Sequence, residues 1–142
     1  MSQASSTENS IQPLNDISVA SWETNAGFWD NHMGDDGNEF FNVLEMPAVE
    51  RLTAVKKGDR ILDLATGSGL LARRLASFGG IVTATDASQN LIRLAEQRLT
   101  KEQAERISYG LLDVTKDADF DRLIEKSEKV HQIPVHLYLI KV

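Results

Sequence analysis

Residues 60–70 limit what this chain can become more than any other stretch. Residues 60–65 are short and apolar around a single acid, Asp63. Thr66-Gly67-Ser68-Gly69 follows as a tight loop, and residues 70–78 then place Leu71, Leu75 and Phe78 at spacings of four and three. That spacing is one face of a helix, and the run before the loop has the length and apolarity of a buried strand. The glycines let the backbone turn sharply and let a ligand approach it closely. The start of the helix adds unpaired N–H groups and a partial positive charge.

The pattern then repeats. Residues 81–85 are mostly β-branched and end at Asp86, after which Ser88 caps a helix over residues 89–101 with Leu91, Leu94, Ala95 and Leu99 as its apolar stripe. Residues 107–112 read as a third strand closing on Asp113, residues 117–126 as a short helix, and residues 135–140 as a fourth strand. Strands alternating with helices predict an α/β fold, built from right-handed βαβ units around a parallel sheet.

Residues 1–16 are rich in Ser, Asn and Gln and read as a disordered tail. Residues 17–57 read as a helical cap. It holds Trp22, Phe28 and Trp29, read first as core and second as a lid, and a turn at Gly34-Asp35-Asp36-Gly37. Asn38 starts a helix that buries Phe40, Phe41 and Leu44. Pro47 suits the first turn of the next helix, which has Val49, Leu52 and Val55 at spacings of three and stops at Lys56-Lys57-Gly58. Residues 58–142 form the ligand-binding half, with residues 134–142 an atypical end.

Composition removes whole classes of function. The 142 residues allow one domain. The absence of cysteine excludes disulfides, cysteine nucleophiles and thiolate metal sites, and no metal is expected. Residues 1–50 carry nine acids and no Lys or Arg, so they stand at −9 while the remainder stands at +3. An acidic chain without a basic cluster does not suit nucleic acid. No apolar run approaches the roughly 20 residues of a membrane span, so no membrane partner is expected. The start lacks a basic and apolar leader, and the expected location is cytoplasmic.

Ligands of such sheets bind beyond the carboxyl ends of the strands, where Asp63, Asp86 and Asp113 would stand. Residues 67–72 also fit the dinucleotide pattern G-x-G-x-x-G/A, with Asp86 about 20 residues on as a ribose acid. An NAD(P)-dependent oxidoreductase is therefore one reading. Against it, Asp63 would repel a pyrophosphate, and that pattern does not require Asp113. A ligand with a cationic centre, a ribose and an adenine suits three separated carboxylates better.

Residues 61–70, Ile-Leu-Asp-Leu-Ala-Thr-Gly-Ser-Gly-Leu, resemble motif I of the class I S-adenosylmethionine-dependent methyltransferases. Residues 83–88 followed by Leu91, Ala95 and Arg98 resemble the second motif, and Leu111-Leu112-Asp113-Val114 the third. Residues 22–34 and 47–52 are similar to the N-terminal cap of the small-molecule members. The resemblance covers residues 18–126. It implies a Rossmann-like fold with about four parallel strands in the order 3-2-1-4, S-adenosyl-L-methionine as cofactor and a small-molecule methyl acceptor as partner. By the same resemblance, Asp63 and the backbone of Ala65, Gly67, Ser68 and Gly69 line the methionine part, and Asp86 takes the ribose hydroxyls. Ala87 packs near the adenine, Asp113 takes its amino group, and the Val114 backbone N–H meets a ring nitrogen. Ala65 stands where the family often has its first glycine, which is tolerated if its φ stays negative.

Methyl transfer from a sulfonium depends mainly on orientation, and a general base is needed only if the acceptor must lose a proton. No catalytic residue is assigned. The only histidines are His32, read as a surface or cap residue, and His131 and His136 near the end. Family resemblance stops near Lys126, so the chain reads as a C-terminally truncated methyltransferase that keeps the cofactor half. A strand at residues 135–140 with nothing after it would leave an apolar edge open to dimerisation or aggregation. A non-catalytic cofactor-binding or regulatory fragment is the remaining reading.

Overall fold

The structure is a computed structural model and describes residues 5–130. Its centre is a parallel sheet of three strands, β1 (Arg60–Leu64), β2 (Ile81–Asp86) and β3 (Ile107–Leu111), in the order β1-β2-β3. Leu70–Ser77 (α3) joins the first two strands. Gln89–Gln97 (α4) and the short Lys101–Ala104 (α5) join the second pair. Both crossovers step the same way along the sheet, so their right-handedness brings α3 and α4 to one face. Among the described residues the sheet thus has three strands, in the order 1-2-3, and not the four in the order 3-2-1-4 that the resemblance implies. The expected fourth strand, residues 135–140, lies outside the described residues, and among those residues β1 and β3 each pair only with β2.

Register explains what each face holds. Ile61 pairs with Val82 and Val82 with Ile107; one pleat further, Asp63 pairs with Ala84 and Ala84 with Tyr109. Paired residues share a face, and the face repeats every second residue. Ile61, Val82, Ala84 and Ile107 form one core with Leu71, Ala72, Leu75 and Ala76 of α3. Asp63 therefore points to the helix-covered side, in the same row as Ala84 and Tyr109.

The caps follow local chemistry. Ser88 Oγ accepts the Leu91 N–H at 3.1 Å, as its position before an apolar stripe predicts. Thr100 and Gln103 form a reciprocal capping box at the start of α5, so the long helix expected over residues 89–101 is two pieces. After β3 comes α6 (Asp117–Val130).

The N-terminal region departs most from expectation. A single helix, α1 (Ser5–Met33), takes in residues read as a disordered tail. Over residues 12–33 only one side of it is covered, including Ala26, Asp30 and Met33, and Glu23 and Asp30 tie that side to the body by hydrogen bonds. Asn38 Oδ1 accepts the Phe41 N–H at 2.9 Å, so the expected cap forms. The segment Phe41–Glu45 is a π-helical turn, whose wider winding moves side chains off a 3.6-residue face. Phe41 is buried, whereas Phe40 and Leu44 are about 60% exposed. In α2 (Met46–Thr53) the inward face is Met46, Val49 and Thr53, and Leu52 is 82% exposed. Steps of three residues turn 300°, so a three-spaced series drifts away from any one face. The helix stops at Ala54, in the left-handed region at φ 44°, before the lysines expected to end it.

Leu75 has no exposed surface and packs between α3 and the sheet. Leu75→Ala should lower the unfolding free energy by about 3 kcal/mol, as large-to-small core changes do. Urea denaturation of the two proteins at one pH measures it.

Candidate functional site

The carboxyl ends of the three strands open on a cavity of about 450 Å³, closed on the far side by α1 and by Phe41 and Glu45. Asp63, Ala65, Gly67, Ser68, Asp86, Ala87, Asp113 and Val114 all line it. Gly69 does not.

At the end of β1, Asp63 is 1% exposed and accepts the Thr66 hydroxyl at 2.6 Å. Burial pushes its carboxyl up to about 7, against the pull of that hydroxyl and with a further push from the charge of Asp86. The loop that follows has three residues with positive φ: Ala65 at 60°, Gly67 at 59° and Gly69 at 79°. Ala65 does not keep the negative φ expected of it. The Thr66 N–H bonds Thr85 O at 2.9 Å while the Gly67 N–H bonds Asp86 Oδ2 at 2.8 Å, and satisfying both turns the backbone at Ala65 out of the strand conformation. Gly69 faces the body of the protein. A Cβ there would lie 3.2 Å from that of Ala95 and would run into the hydroxyl of Tyr109, so this glycine allows α3 to sit down on the sheet.

At the end of β2, Asp86 accepts two backbone N–H groups, from Gly67 and, at Oδ1, from Ser88 at 2.9 Å. Burial still raises its carboxyl above the ordinary range, with the Glu23 charge adding to the rise. At the end of β3, burial pulls Asp113 upward too. Hydrogen bonds from the Thr115 hydroxyl (2.7 Å) and N–H (3.0 Å), from Asn15 (2.8 Å) and from Lys116 outweigh it and hold Asp113 below the ordinary range.

The far wall comes from one face of α1: Asn15, Ser18, Val19, Trp22, Trp29 and Met33. The two tryptophan rings meet edge to face at 5.5 Å, and Trp22 is 45% exposed. Both are cavity wall, not the core they are first read as. Phe28 is 73% exposed and stacks on His32, which does not line the cavity. His131 and His136 lie outside the described residues.

Four residues that sequence reasoning passes over hold this arrangement. Glu23 accepts the Ser88 hydroxyl at 2.5 Å and the Asn90 N–H at 3.0 Å, and these bonds, the hydroxyl first, hold its carboxyl low. Asp30 accepts from Arg98 at 2.7 Å, and Asp35 accepts from the other arm of the same guanidinium. Glu23 and Asp30 are seven residues apart, two turns on one face, and they fasten α1 alongside α4 at both its ends. Arg73 donates to Ser68 O and Asp35 O at 2.8 and 2.9 Å and so ties the loop after β1 to the turn after α1. The sequence carried one signal for this. Any of the nine acids that forms an ion pair must find its base outside residues 1–50.

A family model described as a methyltransferase domain matches residues 61–135, more than half of the chain and every one of the three carboxylates. The chain belongs to the methyltransferase domain family. Among its relatives, the ubiquinone biosynthesis O-methyltransferase of Coxiella burnetii is 33% identical over 103 residues, covering 70% of this chain and 43% of that protein. The demethylmenaquinone methyltransferase of Clavibacter sepedonicus is 36% identical over 74 residues, covering 52% of this chain and 29% of that one. The chain therefore spans less than half the length of these relatives. The solved DhpI–SAH complex superposes with a TM-score of 0.50 at 22% identity, covering 70% of this chain and 45% of that one, and it shows the shared fold.

Two properties of this methyltransferase domain are open to measurement. Ala65→Gly relieves a left-handed alanine, worth about 1–2 kcal/mol, against the greater chain entropy of glycine. A net gain of about 0.5–1 kcal/mol in denaturant unfolding is expected. The second property is the pH dependence of Asp63. Its folded value of about 7 exceeds the ordinary 3.8, so the stability it confers is complete below about 3.8 and is lost as pH rises through about 7. Asp63→Asn, neutral throughout, should flatten that fall when urea midpoints are compared from pH 4 to 8.

Proposed function

We propose that the cavity binds S-adenosylmethionine and that the domain serves methyl transfer to a small molecule. The observation that carries this is the convergence of Asp63, Asp86 and Asp113, from three successive strand ends, on one cavity beside a loop of positive-φ residues. When bound, the cofactor supplies a methyl group on a sulfonium, which leaves readily. The chain's own residues have then to bind and orient.

Asp63, with the loop backbone of Ala65, Gly67 and Ser68, is assigned to the methionine part, where a buried carboxylate suits an ammonium group. Asp86 is assigned to the ribose hydroxyls. Each of its oxygens takes one backbone N–H and keeps capacity for another donor. Ala87 and Val114 flank the adenine, and Asp113 is assigned to its amino group. Gly69 acts through packing. Asn15, Ser18, Val19, Trp22, Trp29 and Met33 of α1 form the wall opposite these residues.

The wall of Trp22, Trp29 and Phe41 supports a small aromatic acceptor, and two relatives are named for ubiquinone biosynthesis and for demethylmenaquinone. The oxidoreductase reading is disfavoured by charge. Asp63 and Asp86 both already resist ionisation, and a pyrophosphate over the same loop would add to the negative charge.

Calorimetry on the full chain tests the reading. S-adenosylhomocysteine should bind and NAD should not. Asp86→Ala should weaken binding by about ten- to a hundred-fold, the worth of a hydrogen bond to a charged group. Equal affinity in the variant would remove Asp86 from the ribose site.

A further inference from the structure

The carboxylate of Asp113 is already full. Its Oδ1 accepts the Thr115 N–H at 3.0 Å and the Thr115 hydroxyl at 2.7 Å. Its Oδ2 accepts the Asn15 carboxamide at 2.8 Å and faces Lys116 Nζ at 3.4 Å. A carboxylate offers about four lone-pair sites, so a further donor can enter only where one leaves. Thr115 belongs to the same turn and stays. Lys116 is at long range and makes the weakest of the contacts. Asn15 is the close donor that comes from elsewhere, 98 residues earlier in the chain, on the helix across the cavity.

The donor itself is informative. The Asn15 Nδ2 is a planar amine on an sp² carbon, the same hydrogen-bonding group as the exocyclic amine of adenine. Its helix is also fastened unevenly. Glu23 and Asp30 hold the second half of α1 to α4. Asn15 lies eight residues before Glu23, about 12 Å along the helix axis. Among the described residues, its bond to Asp113 is the only side-chain hydrogen bond from residues 12–22 to the rest of the fold, and Leu14 and Ile17 beside it are exposed.

We propose that Asn15 is an internal stand-in for the adenine amine, filling the Asp113 acceptor until the cofactor displaces it. The proposal rests on the reading of this cavity as an S-adenosylmethionine site. The first half of α1 then acts as a self-occluding strap hinged on the Glu23 anchor. Apparent affinity is the intrinsic affinity reduced by the fraction of chains with Asp113 free, so removing the stand-in strengthens binding. An ordinary wall residue would have the opposite sign.

Calorimetry with S-adenosylhomocysteine on the full chain compares the wild type with Asn15→Leu, which keeps the side-chain volume and removes the donor. About ten-fold tighter binding is expected, together with a lower melting temperature of the ligand-free protein. In an Asp113→Ala background, Asn15→Leu should bring no gain, because no acceptor is left to compete for. Unchanged or weaker binding by Asn15→Leu overturns the proposal, and so does a gain that persists without Asp113, which would make α1 a steric cover only. Wild-type binding that Asp86→Ala weakens but Asn15→Leu leaves alone overturns this proposal and spares the reading beneath it. No binding by the wild type overturns both.

Discussion

The carboxylate of Asp86 holds the working end of this fold together. It stands at the end of the middle strand and accepts N–H groups from Gly67, in the loop after β1, and from Ser88, at the start of α4. Both βαβ units are thereby tied at their mouths to one side chain. Ser88 in turn donates its hydroxyl to Glu23, which carries the tie to α1 and so to the opposite wall of the cavity. Without a fixed acceptor at position 86, the positive-φ loop would lose the bond that holds Gly67, and α1 would be latched to a moving target.

Three carboxylates around one cavity would repel one another if all behaved alike, and they do not. Asp63 has a single hydroxyl donor in a fully buried site, and its proton is held up to about 7. Asp86 has backbone donors only, and burial outweighs them. Asp113 has hydroxyl, amide and ammonium donors, which together outweigh burial and keep it ionised. The site is therefore graded, from a proton-holding acid at β1 to a firmly anionic one at β3. A ligand that brings its cationic group to Asp63 would draw that proton off and gain the charge at the moment of binding.

Much of this is legible in the order of the residues. Strand, glycine loop and helix over residues 60–78 are set by local rules: a buried apolar run, a turn that glycine permits and a helical stripe. They hold to within a residue at the ends of β1 and α3. The register of Asp63, Asp86 and Asp113 followed from the strand ends. The helical cap was harder. Phe40, Leu44 and Leu52 are large and apolar, yet they face outward because a π-helical turn and a short helix rotate them off the face that a regular spacing suggests. Trp22 and Trp29 carried no local sign that they would line a cavity rather than fill a core.

The residues alone settled the alternation of strand and helix from β1 to β3, the three acids at strand ends and the family, because those depend on short-range patterns that neighbouring positions impose on each other. Contacts far apart in the chain settled the rest. Ala65 is left-handed because Thr85 and Asp86 pull on the residues after it from the next strand. Gly69 serves packing because Tyr109 and Ala95 lie beneath it. Asn15 fills Asp113 because α1 crosses the cavity, a route fixed by Glu23 and Asp30 on α4. A hydrogen bond spanning 98 residues leaves no periodicity for a sequence to display, and only the folded chain brings its two ends together.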